Sequence, residues 1–112
     1  MATLKDAYEV SAVIAREMQP LSIMLFGSLA ENGTGADIDL LTIDDDTASN
    51  SADDFAPRVD SAIKPFFNRF AIDSFVFPVS RFIDFYRKGS PFLAAIFGKG
   101  RCLYMKESFV NG

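Results

Sequence analysis

At 112 residues the chain has room for one domain around one core, and 49% hydrophobic against 23% charged residues excludes a chain disordered as a whole. Fifteen acidic and eleven basic residues leave a net charge of −4, which argues against general nucleic-acid binding. There is no His and a single Cys, so imidazole catalysis, His-ligated metals and an internal disulfide are all excluded.

Taken in chain order, residues 3–18 read as an amphipathic helix. Thr3 stands at the cap, Asp6 follows in capping-box spacing, and Leu4, Ala7, Tyr8, Ala12, Ala15 and Met18 fall near one face. Pro20 stops it. The apolar run 21–26 ends at Gly27 and fits a strand buried on both faces. Residues 28–36 read as a Gly- and Asn-rich loop with one helical turn, in which Asn32-Gly33 is a turn former. A second strand is expected over 37–43, followed by a flexible, solvated acidic loop over 44–54.

A helix follows from 53 or 54 to about 68, with Pro57 tolerated in its first turn and Pro65 kinking it or ending it early. Residues 69–77 read as a third strand closed by Pro78. Ser80 is the expected cap of a helix through Lys88, and Ser90-Pro91 opens a second short helix to Phe97. Gly98 and Gly100 bracket a turn before a last strand over 101–105. The order specifies a single α+β domain over residues 1–112, with a small mixed sheet packed with helices. The twelve Phe are expected mainly in the core, with Phe82, Phe85, Tyr86, Phe92 and Phe97 leaving an apolar surface for a partner or a homo-oligomer. Cys102 reads as a small buried apolar residue.

The near-balance of charge hides a polarity. Residues 1–60 carry twelve acids and three bases, whereas residues 61–112 carry three and eight. No apolar run reaches the ~18–20 residues of a membrane span. Lys5, Asp6 and Glu9 stand where a signal peptide is apolar, so a cytoplasmic protein is expected.

Chemistry concentrates in residues 25–43. Gly27-Ser28 ends a strand, where a missing side chain lets backbone N–H groups approach an anion such as phosphate. Asp37 and Asp39 alternate on the next strand, which points both carboxylates to one face while Ile38 and Leu40 take the other. At ~4 Å and an effective dielectric of ~20 such a pair repels by about 4 kcal/mol. A divalent cation with oxygen ligands turns that repulsion into a binding site. Asp73 is an acid within an apolar strand, costly unless it faces solvent, a partner or a metal. If its strand lies beside the second, the three acids converge in the manner of two-metal phosphoryl chemistry.

The pattern Gly27-Ser28, Asp37-Ile38-Asp39-Leu40 and a later strand acid at Asp73 resembles the minimal nucleotidyltransferases of the DNA polymerase β superfamily. The tail over 91–104, PFLAAIFGKGRCLY, is similar to the end of those small domains. The resemblance implies a nucleotidyltransferase-like fold and Mg²⁺- or Mn²⁺-dependent transfer of a nucleoside monophosphate from an NTP, such as ATP, to a hydroxyl. It implies that Gly27 and Ser28 bind the nucleotide phosphates and that Asp37 and Asp39 bind metal. Asp73 then completes the metal site and activates the acceptor. A HEPN-type toxin is the implied partner, with this chain as antitoxin.

Two departures stand in the pattern. Eight residues separate Ser28 from Asp37, and Leu29 and Glu31 follow the turn where relatives often carry Arg. Glu31 beside a triphosphate is repulsive, and a compensating cation is expected from the basic half, for example Arg69, Lys99 or Arg101. These departures keep a second reading open, in which the same fold has lost turnover and acts by binding a protein. A third is an α+β domain unrelated to that family, its acids merely on the solvent face of an edge strand.

Overall fold

The computed structural model describes residues 1–46 and 55–106, so most of the expected acidic loop over 44–54 lies outside the described residues. A two-residue strand β1 (Ala2–Thr3) leads into α1 (Leu4–Met18). The capping box forms as the sequence predicts: the Asp6 N–H donates to Thr3 Oγ1 at 3.3 Å, and the Thr3 N–H donates to the Asp6 carboxylate at 2.9 Å. Of the expected face, Ala7 is buried and Leu4, Ala15 and Met18 pack against the core, but the centre of the buried face lies slightly to one side. Ala7, Val10, Ser11 and Ile14 are inside, whereas Tyr8 and Ala12 are exposed. Gln19 ends the helix in the left-handed region, with φ 49°, just before Pro20.

Next come β2 (Ser22–Phe26), α2 (Gly27–Asn32), β3 (Thr34–Gly35) and β4 (Asp37–Asp44). The expected loop over 28–36 is therefore a short helix and a two-residue strand, and β3 pairs antiparallel with β1. Gly33, with φ +81°, caps α2. Beyond the undescribed stretch, α3 (Phe55–Ile63) tightens into a 3-10 turn over Lys64–Phe66, where Pro65 removes a helical donor. Arg69 and Phe70 both donate their N–H to Phe66 O. The following strand, β5 (Ala71–Pro78), therefore starts two residues later than expected. The chain finishes with α4 (Val79–Arg87), α5 (Pro91–Lys99) and β6 (Arg101–Met105).

Ser80 does not cap α4. Its N–H and hydroxyl both donate to the carboxylate of Asp46, which supplies the cap from the turn just beyond β4. Those two bonds hold the Asp46 carboxyl below its ordinary value, the hydroxyl contributing most. Ser90 does cap α5, accepting from the Leu93 N–H at 3.4 Å. Gly98 lies inside α5, so only Gly100 marks the turn.

The main sheet has the order β5-β4-β2-β6; β4 and β5 are parallel and the other pairs antiparallel, so the sheet is mixed, as expected. One face carries Ile23, Leu25, Ile38 and Leu40 against Val10 and Ile14 of α1 and Val59 and Ile63 of α3. The opposite face carries Met24, Leu41 and Ile43 against Leu93 and Ile96 of α5, with Val79, Phe82 and Phe85 of α4. Helices thus cover both faces, the layered α+β solution to burying a two-sided apolar sheet.

Contrary to expectation, the Phe residues are not mainly in the core, although Tyr86, Phe92 and Phe97 do form the expected exposed apolar surface. Among the described Phe, only Phe55 is buried; Phe67, Phe75, Phe92 and Phe97 are exposed, as is Tyr86, while Phe82 and Phe85 are half-buried. Cys102 is exposed too, because β6 is an edge strand with a solvent side. Among the described residues no helix is long and apolar enough to cross a membrane.

Candidate functional site

Strand alternation sets the chemistry of β4. Ile38 and Leu40 are fully buried toward α1 and α3, so Asp37 and Asp39 must face the other way. Because β4 and β5 run parallel in register, Asp39 lies opposite Asp73, and Asp37 opposite Ala71. One carboxylate oxygen from each of Asp37, Asp39 and Asp73 can be chosen so that all lie within 4.8 Å of one another. Further along the same face come Leu41, packed under the α4–α5 layer, and the exposed Phe75, whose ring meets Phe92 of α5 with centroids 6.2 Å apart. The acids occupy the end that those helices leave open: Asp37 and Asp73 are exposed and Asp39 is half-buried.

Gly27 explains its own identity. Its φ is +77°, which side chains rarely adopt, and a Cβ there would overlap the Asp39 carboxylate. The neighbouring Phe26 is the antiparallel register partner of Asp39. The strand end at Gly27 is therefore pressed directly against the central acid. Ser28 follows at an exposed position in α2.

Three acids in one place are electrostatically expensive without a cation. Partial burial pushes the Asp39 carboxyl up from 3.8 to about 6, with a hydrogen bond to Asp73 and the charges of Asp73 and Asp37 adding to the rise. A group of hard carboxylate oxygens converging from two strands suits a divalent cation, and these residues could hold one.

The three basic candidates separate. Arg69 turns to α1, where it pairs with Glu9 at 3.5 Å and Asp6 at 3.9 Å and lies over the Phe70 ring at 4.8 Å. Lys99 instead pairs with Glu31 at 3.6 Å, and Arg101 donates from Nε to the Ala30 carbonyl at 2.7 Å. Both reach α2, the helix that starts at Gly27.

Composition alone did not reveal what adjoins the acids. Phe26, Phe75 and Phe92 form a triangle of rings with centroids 5.7–6.2 Å apart. A cleft of about 420 Å³ opens beside them, lined by Phe26, Gly27, Glu31, Phe92 and Lys99 among others. The sequence signal for it was period-2 placement of Phe75 two residues after Asp73, but Phe26 and Phe92 join only through the tertiary fold.

In comparisons with known proteins, no family model matches the chain and no curated protein matches it.

Proposed function

We propose that the chain is a divalent-metal-dependent nucleotidyltransferase, moving a nucleoside monophosphate from an NTP, such as ATP, to a hydroxyl acceptor. The observation that carries this reading is the convergence of Asp37, Asp39 and Asp73 from two adjacent strands, with Gly27 against the central acid. The residues fit Mg²⁺ or Mn²⁺: the donor set is all carboxylate, and Asp39 is strained electrostatically without a counter-charge. A bound cation supplies neutralisation of the triphosphate and a more acidic acceptor hydroxyl.

The chain's own residues have separable roles. Asp37 and Asp39 hold the metal, while Gly27 and Ser28 face the phosphates. Asp73, exposed at the mouth, completes the ligand set and takes the proton as the acceptor oxygen bonds to the α-phosphorus. The bond from that phosphorus to the bridging oxygen breaks, and pyrophosphate leaves with the electron pair. The acceptor comes from another molecule; the resemblance points to a HEPN-type toxin, which the chain would modify as its antitoxin.

Label transfer tests this reading. With α-labelled ATP, Mg²⁺ and a HEPN-type partner, the wild type should label the partner, and Asp37→Asn/Asp39→Asn should not. An unlabelled partner with every NTP and either ion would contradict it.

A second reading is favoured by one surface. A cleft of about 470 Å³ between α4 and α5 is lined by the exposed Tyr86 and Phe97, the kind of apolar patch that binds protein. On that reading the fold neutralises its partner by contact. Partner regulation undiminished in the double Asp variant would favour it.

A further inference from the structure

The cleft beside Gly27 adjoins the acid site through that residue, and the roles assigned to the acids and to Gly27-Ser28 leave it without an occupant. It lies between α2 and α5, and Gly27 belongs to both places: it lines the cleft and abuts Asp39. Its volume of about 420 Å³ is within the ~300–1,000 Å³ of small-molecule sites. One wall is aromatic. Phe92 is 39% exposed even though it packs edge-on against Phe26, with centroids 5.7 Å apart.

The other wall is an ion pair, Glu31 with Lys99 at 3.6 Å. That pair carries no net charge, so the wall offers a phosphate no net attraction and places Glu31 against it. A neutral planar group is a better match. It could lie on the Phe92 ring while Glu31 accepts a hydrogen bond from its edge and Lys99 donates one. Every nucleobase has a π-face and both donors and acceptors along its edge.

Resting on the nucleotide-transfer reading above, we propose that the α2–α5 cleft is the nucleobase subsite, with Phe92 as stacking platform and Glu31 and Lys99 reading the base edge. Glu31 is then a base-facing residue and no obstacle to the triphosphate, which stays at the Gly27 and acid end. Lys99 serves the same edge and not the phosphates.

Calorimetry with two probes tests the assignment. ATP and inorganic tripolyphosphate, each with Mg²⁺, are titrated into wild type, Phe92→Ala and the Glu31→Ala/Lys99→Ala double variant. The wild type should bind ATP more tightly than tripolyphosphate. Phe92→Ala should weaken ATP on the order of tenfold and leave tripolyphosphate unchanged, which also shows that the variant is folded. The double variant, which leaves no unpaired charge, should narrow the differences in affinity among ATP, GTP, CTP and UTP. Equal wild-type affinity for ATP and tripolyphosphate, or equal losses of both in Phe92→Ala, would overturn the subsite and leave the transfer reading standing. Binding of neither probe by the wild type would overturn both.

Discussion

Asp39 faces Asp73 across the parallel pair of β4 and β5, and Gly27 packs so tightly on Asp39 that no side chain fits between them. The contact joins a backbone turn to a carboxylate cluster. It makes the glycine and the acids one structural unit, and each can be probed through the other.

Replacing Gly27 with Ala places a methyl group on the Asp39 carboxylate and forces a left-handed conformation. The backbone alone should cost about 1–3 kcal/mol of stability. Chemical denaturation should show that loss, and Mn²⁺ affinity should fall at least several-fold because Asp39 must move. Unchanged stability and affinity would mean that the turn and the acid are not in contact.

Asp39 also makes stability depend on pH in the metal-free protein. Its folded value of about 6 lies above the ordinary 3.8, so the native state holds a proton that the unfolded chain has lost. Between those values stability should fall as pH rises, and above about 6 the full penalty applies. In chelator near pH 7, Asp39→Asn should be more stable than wild type by on the order of 1 kcal/mol, allowing for solvent screening. The difference should vanish near pH 4, and melts at both pH values check it.

The cap on α4 has the opposite sign. Asp46 accepts from the Ser80 N–H and hydroxyl, which lowers its carboxyl value. Its contribution is therefore full above the ordinary carboxylate range and lost as pH falls through the lower folded value. Asp46→Ala should reduce the melting temperature near neutral pH, and the two proteins should converge in strong acid. Ser80→Ala should lose only the hydroxyl bond and so less stability.

Thr42 is fully buried on the α1–α3 side of β4, and its hydroxyl has no hydrogen-bond partner among the described residues. Val has the same shape without the hydroxyl and a higher affinity for that apolar face. Thr42→Val should stabilise the protein by about 1 kcal/mol in a urea titration.

These cases also show what a sequence can and cannot disclose. Asp37 and Asp39 are neighbours on one strand, so period-2 geometry puts their shared face in view without any tertiary information. The Asp39–Asp73 register is different. It depends on which strands adjoin and in which direction, and 33 residues separate the two acids.

Ser80 departs from its expected role for the same reason: local spacing favours a serine cap, but a carboxylate from just beyond β4 takes that place. β1 and β3 have two residues each, too few for any alternation to show. The Phe residues mislead by composition. Several sit on the side of the sheet where α4 and α5 only partly cover them, so their hydrophobicity marks a surface and a cleft as well as a core.

On the proposed reading, the three acids bind a metal–nucleotide complex. Calorimetric titration of ATP with Mg²⁺ into wild type and Asp37→Asn/Asp39→Asn measures this most directly. Saturable heat in the wild type, abolished in the double variant and in chelator, is the expected result. No heat from any nucleoside triphosphate with Mg²⁺ or Mn²⁺, or equal heat in both proteins, would contradict it.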